Sequence, residues 1–201
     1  MKILVIGATG TIGKSVSTLF EEHGHIVIRA GHRNGDYTVD LGSKDSIRSL
    51  FEEIGQMDAV VSTAGAAKFA ALKDLSDADF QLALNNKLMG QVNLVRVGSE
   101  HVNDNGSITL TSGILAHEPM PGSATISMAN GALESFAMAA ALELGPRIRV
   151  NVVSPAFVIE TMEMMGMDST HGISAADTAK AYLSAIRGSN NGDTLDIRDF
   201  V

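Results

Sequence analysis

Short apolar runs alternate along the chain with longer segments whose apolar residues recur at helical spacing. Residues 3–6 form an uninterrupted apolar run closed by Gly7, the pattern of a strand buried on both faces. Residues 11–22 carry Ile12, Val16, Leu19 and Phe20 on one side, which predicts an amphipathic helix ended by Gly24. Residues 26–28 give a second strand and 37–39 a short third. Ser43 reads as the N-cap of a helix with the stripe Ile47, Leu50, Phe51 and Ile54. A fourth strand covers 59–61. Ser76 then opens a helical region to about residue 102, with Phe80, Leu84, Leu88, Val92 and Val95 along one side. Asn105-Gly106 is expected to turn the chain into a fifth strand at 107–110, and an Ala-rich helix follows over 127–144, closed by Pro146. Residues 148–153 form a sixth strand. A last helix over 175–186 and a short strand over 194–197 complete the pattern.

Strands alternating with helices at these lengths predict βαβ units with right-handed crossovers. The fold class is α/β: a single Rossmann-type, doubly wound parallel sheet of about seven strands with helices on both faces. No internal boundary, repeat or low-complexity tract divides residues 1–201, so they are read as one domain. One irregular segment, 156–172, holds Met162, Met164, Met165 and Met167 close together. It reads either as a loosely packed loop or as a short flexible lid over an apolar substrate.

Composition narrows the partners. With 45% hydrophobic and 19% charged residues among 201, the chain can bury a real core. A net charge of -8 argues against nucleic acid or an anionic membrane as the main partner. The absence of cysteine excludes disulfides and thiolate chemistry. The apolar run at the N-terminus is too short for a signal peptide, and no stretch approaches about 18 apolar residues. A cytoplasmic protein is expected. His23 and His25 lack partners for a metal site, and none is expected.

Gly7-Ala8-Thr9-Gly10-Thr11-Ile12-Gly13 lies between a strand and a helix. In that context Gly7 permits the tight turn, Gly10 lets backbone approach a pyrophosphate, and Gly13 lets the helix pack close to the sheet. Gly13-Lys14-Ser15 imitates the end of a triphosphate loop, but the glycine that loop needs five positions before Gly13 is Ala8. After the second strand, Arg29-Ala30-Gly31-His32-Arg33-Asn34 offers no acid for ribose hydroxyls until Asp36. Arg33, helped by His32, suits a 2′-phosphate, unless it is simply a solvated loop arginine. NADPH/NADP is therefore expected over NADH/NAD.

These features, with three further segments, resemble the short-chain dehydrogenase/reductase family along essentially the whole chain. Asp40-Leu41 resembles the family's contact with adenine, and Ser62-Thr63-Ala64-Gly65 its Asn-Asn-Ala-Gly motif. Residues 148–156, ending in Pro155 and Ala156, resemble the sixth-strand signature beside nicotinamide. Thr161 then falls where the resemblance puts a threonine near the carboxamide, and Val158 is a further candidate for binding the cofactor. Family membership implies a dimer or tetramer, and the small residues of 128–142 suit close helix approach.

At the catalytic positions the chain departs from the family pattern of Ser, Tyr-x-x-x-Lys and a supporting Asn. Ser112 matches the serine, but Ile126 takes the tyrosine place and Asn130 the lysine place. Lys87 replaces the asparagine, with Asn86 adjacent. One expectation is that Lys87 projects toward Ser112 and Asn130 and supplies positive charge for a developing oxyanion; the other is an ordinary exposed lysine. His117 and Glu118 fall near the pocket. Two functions follow: an NADPH-dependent reductase of a small carbonyl or conjugated acceptor, or a catalytically inactive NADP(H)-binding sensor.

Overall fold

The structure is a computed structural model and describes residues 1–201. Seven strands form one all-parallel sheet in the order β3-β2-β1-β4-β5-β6-β7. They are β1 (Lys2–Ile6), β2 (Ile26–Gly31), β3 (Tyr37–Thr38), β4 (Met57–Ser62), β5 (Val102–Thr111), β6 (Ile148–Ser154) and β7 (Thr194–Asp196). The helices are α1 (Thr11–Glu22), α2 (Lys44–Ile54), α3 (Asp77–Leu82), α4 (Met89–Gly98), α5 (Ala124–Leu144), α6 (Ile159–Met164) and α7 (Ala175–Arg187).

Because each inner strand is covered on both sides, its residues are apolar at successive positions, as in Ile3, Leu4, Val5 and Ile6. Leu4 and Ile6 point to one face, where Phe51, Leu94 and Leu133 bring in α2, α4 and α5. Ile3 and Val5 point to the other, against Val16 and Phe20 of α1 and Tyr182 of α7. Each fully buried side chain of this size contributes roughly 1.5–3 kcal/mol of transfer free energy. Ser43, Ser76 and Ser174 cap α2, α3 and α7, each accepting a first-turn backbone N–H.

Two stretches differ from the sequence reading. The helical region after Ser76 is not continuous: α3 passes into a π-helical turn, Ala83–Leu88, before α4. The fifth strand begins at Val102, and Asn105-Gly106 lies inside it rather than before it. Between the pairs Met57–Val102 and Ala59–Ser107, β5 advances farther than β4, and Asn105 absorbs the excess at φ 66°. Its polar residues, Asn103 to Asn105, are exposed at the lower edge of the sheet, so no apolar signal marked them as strand. Within 156–172, α6 forms a single short helix; Met162 is buried, while Met164, Met165 and Met167 are exposed. No helix is long and apolar enough to cross a membrane.

Candidate active site

Sterics build the turn between β1 and α1. Gly7 takes φ 82°, in the left-handed region, and its N–H donates to the Ala30 carbonyl at 2.8 Å. A Cβ on Gly13 would stand 2.1 Å from the Gly7 carbonyl oxygen, so only glycine lets α1 start this close to the turn. Gly10 is the N-cap of α1, with no side-chain cap and no acid in the first turn. The first-turn N–H groups, those of Thr11 and Ile12 among them, have no intrahelical acceptor. With the helix dipole they form an anion site.

Two cavities lie beyond the C-terminal ends of the strands, on either side of the point where strand order reverses between β1 and β4. The first, of about 350 Å³, is lined by Gly7, Gly31, His32, Val39, Leu41, Ala64, Gly65, Ala66 and Asn86, with Ile6 at its floor. No carboxylate lines it. Asp36 instead accepts from the Arg29 N–H at 2.9 Å, and Asp40 folds back onto the Gly42 N–H at 2.8 Å. Arg29 is tied to Glu21 at 2.7 Å, whereas Arg33, next in sequence to the cavity residue His32, is exposed and takes part in no ion pair.

The second cavity, of about 270 Å³, brings together Ile12, Thr63, Lys87, Ser112, Asn130, Pro155, Ala156, Val158 and Thr161. Of the residues singled out in the sequence, Thr9, Gly10, Thr11, Gly13, Arg33 and Asp40 line neither cavity. The glycine-loop positions act through the turn itself. Thr111, Gly113, Ile114, Leu115, Ile126 and Phe157 complete the second wall. Ile126, which the resemblance sets in the tyrosine place, lines this wall and carries no hydroxyl. Tyr182 offers no substitute: it is fully buried, bonded to the Thr111 hydroxyl at 2.7 Å, and burial pushes its phenol further up.

Lys87 is the one ionisable side chain in this second cavity. The π-helical turn carries it there, a local widening often found at functional positions. Gln91 holds the widened turn: its amide donates to the carbonyls of Lys87 at 3.2 Å and Thr111 at 3.0 Å, and its oxygen accepts from the Thr111 N–H at 2.8 Å. Lys87 Nζ donates to the Ser112 carbonyl at 3.3 Å. Burial alone pushes its ammonium down to about 8, with no charged neighbour contributing. Opposite it, Asn130 is buried and donates from Nδ2 to the Gly113 carbonyl at 3.2 Å, leaving Oδ1 without a partner.

The structure changes the picture of Ser112. Its hydroxyl donates to Glu134 at 2.7 Å, and the other Glu134 oxygen meets His117 Nε2 at 2.5 Å. In this arrangement the Ser112 hydroxyl is engaged by a buried acid at the wall of the second cavity. The side-chain direction that faces Asn130 belongs to Gly113, where a Cβ would stand 3.1 Å from Asn130 Nδ2. The carboxylate stands between the hydroxyl and the imidazole, so the trio does not provide the Ser–His contact that a hydrolytic nucleophile requires. Sequence reasoning missed Glu134, although its place one helical turn after Asn130 puts it on the same buried face.

The glycine cradle and the uncapped helix end fit a dinucleotide laid across both cavities. Together with the sheet order they define a Rossmann dinucleotide-binding domain. A family model described as enoyl-(acyl carrier protein) reductase matches residues 7–190. The chain is 32% identical over 183 residues to the short-chain dehydrogenase/reductase ATR9 of Stachybotrys chlorohalonatus, covering 79% of this chain and 72% of that one. It covers 50% of an uncharacterized oxidoreductase of Methylorubrum extorquens, at 30% identity over 125 residues and 62% of this chain. Among solved structures, the protein lin1944 from Listeria innocua aligns with TM-score 0.93 and 39% identity over 98% of both chains. A small-chain dehydrogenase in complex with NADPH aligns with TM-score 0.87 and 29% identity, over 98% of this chain and 95% of that one. The chain belongs to the short-chain dehydrogenase/reductase family, a family of NAD(P)-binding oxidoreductases.

Proposed function

We propose that this chain is an NADPH-dependent reductase of a small carbonyl or conjugated acceptor, with Lys87 in place of the missing tyrosine and lysine. The observation that carries the reading is the lone ammonium in the second cavity, set among neutral walls. The preference for NADPH rests on the first cavity, which has no carboxylate and has His32 in its wall with Arg33 next in sequence. The NADPH complex of a related small-chain dehydrogenase supports it.

On this reading the backbone N–H groups of residues 10–13 hold the pyrophosphate, while Leu41, Ala64 and Gly65 border the adenosine. Pro155, Ala156, Val158 and Thr161 seat the nicotinamide, and Asn130 lines the wall beside it. The bound cofactor supplies hydride. Lys87 supplies charge where the acceptor oxygen becomes negative, and its ammonium is a proton source near neutral pH. Residues 156–172 are the candidate lid, since Phe157, Val158 and Thr161 of this segment line the cavity. Glu134 holds Ser112 and the loop after β5 in place.

The test follows NADPH absorbance with a panel of aldehydes, ketones, quinones and enones. Turnover is expected below a pH of about 8 and is lost as the pH rises through it, because the protonated amine is the active form. Lys87→Met should lower turnover by about 100-fold. A second reading, an NADP(H) sensor without turnover, is favoured by Ile126 and Asn130 standing in the tyrosine and lysine places. Tight NADPH binding with no consumption by any acceptor would select it.

A further inference from the structure

Two polar atoms in the second cavity lack the partner their chemistry asks for. An ammonium carries three donors, and Lys87 Nζ has one protein acceptor, the Ser112 carbonyl at 3.3 Å. It makes no ion pair, and no charged group contributes to its shift. Glu134, the buried acid of the facing helix, is engaged by Ser112 and His117 and does not line the cavity. The second atom is Asn130 Oδ1, buried and unbonded. Flipping its amide would not satisfy it, since Nδ2 already meets the Gly113 carbonyl and an exchange would set two acceptors together. Both side chains reach carbonyls of one short stretch, residues 112 and 113, from α5 and from the π-helical turn. The remaining walls include Ile114, Leu115, Ile126 and Phe157.

A half-buried cation beside apolar walls gains from a counter-charge, and a buried orphaned acceptor is costly unless a donor meets it. A neutral aldehyde or ketone supplies neither a counter-charge nor a donor. A hydroxy acid answers both. We propose that this cavity binds short-chain oxo and hydroxy acids, the carboxylate pairing with the Lys87 ammonium and the hydroxyl of the hydroxy acid donating to Asn130 Oδ1. The acid shares a cavity of about 270 Å³ with the nicotinamide, which suits a short chain. The proposal rests on the reductase reading only for the direction of the chemistry. The carbonyl carbon of the oxo acid takes a hydride from NADPH, which becomes NADP+, and its oxygen takes a proton from the Lys87 ammonium, which regains it from water, yielding the hydroxy acid.

The experiment is calorimetry on the full chain loaded with NADP+, using lactate, pyruvate and acetoacetate against their methyl esters. Acids are expected to bind at least about tenfold more tightly than esters. Lys87→Met should erase that preference and Lys87→Arg should restore it in part. Asn130→Leu should weaken lactate more than pyruvate. The preference for acids should fade as the pH rises through about 8, where the amine loses its charge. Equal binding of acids and esters by the unmodified protein, a preference that survives Lys87→Met, or failure of every acid to bind would overturn the proposal. NADPH consumption is measured separately. Acids that bind without consumption keep this site and sink the reductase reading, whereas consumption of the neutral esters at the same rate as the acids does the reverse.

Discussion

A single added carbon atom decides the fate of the phosphate turn. On Gly13 it would meet the Gly7 carbonyl oxygen at 2.1 Å, well inside any contact that backbone tolerates. Neither partner is a flexible chain end, so Gly13→Ala must push α1 away from the turn and misalign its first N–H groups. Overpacking of this kind costs about 1–3 kcal/mol of stability. The same displacement should weaken NADPH binding by about tenfold or more, a difference of about 1.4 kcal/mol, read by fluorescence titration at a temperature where the variant remains folded. Unchanged affinity would show that the turn does not grip the phosphates. The demand for glycine here was visible in the sequence, because spacing between a strand and a helix has only a few steric solutions. The link of Glu134 to Ser112 and His117 was not. An acid within an Ala-rich helix carries no sign of whom it faces, and its meaning depends on which turn of α5 lies under the loop after β5. The exchange of Lys87 and Asn130 stood between these extremes. The family pattern marked both positions, but only the cavity shows that they share a site and that Gly113, rather than Ser112, points a side-chain direction at Asn130.

At the level of elements, the apolar pattern located every helix that packs a continuous stripe and every strand buried on both faces. It lost accuracy where backbone geometry changes without a change in polarity. The π-helical turn is one such place, since Leu84 and Leu88 keep helical spacing through Ala83–Leu88 and the widening leaves no mark on the sequence. The start of β5 is the other. There Asn105 at φ 66° takes up the extra residues that β5 carries against β4, and its amide makes the left-handed conformation tolerable. Asn105→Val places a β-branched side chain in that conformation and should cost about 1–2 kcal/mol. Asn105→Gly should be neutral or slightly stabilising at the same position. Urea unfolding of the pair checks the sign. Equal stabilities would mean that β5 relaxes into a regular strand when its bulge is removed, and that the bulge is not needed to set the upper half of the strand beside β4.

Across the whole molecule, the two apolar layers do not account for all the apolar surface. The inner face of α5 is buried by Ala129, Leu133, Ala137 and Ala141, yet its outer face carries Met128, Met138 and Leu142, the last 86% exposed. Residues 128, 135, 138 and 142 follow one stripe of the helix, and the small side chain of Ser135 lies between the larger ones. Beside it, Val95, Phe136, Ala140 and Leu144 line a depression between α4 and α5. An apolar stripe of this kind on a chain of net charge -8 calls for a partner surface rather than water. A two-fold pairing of α4 and α5 between copies would bury it, with the small residues allowing close helix approach. Sedimentation velocity is expected to show a dimer or tetramer. The double change Met138→Lys with Leu142→Lys should shift the protein toward monomer by setting like charges across the axis, while leaving NADPH binding intact because neither residue lines a cavity. A protein that sediments as a monomer before any substitution would leave the stripe for a different partner and remove the argument for self-association. Loss of cofactor binding in a folded double variant would point instead to a coupling between α5 and the site, carried by the helix that holds both Asn130 and Glu134.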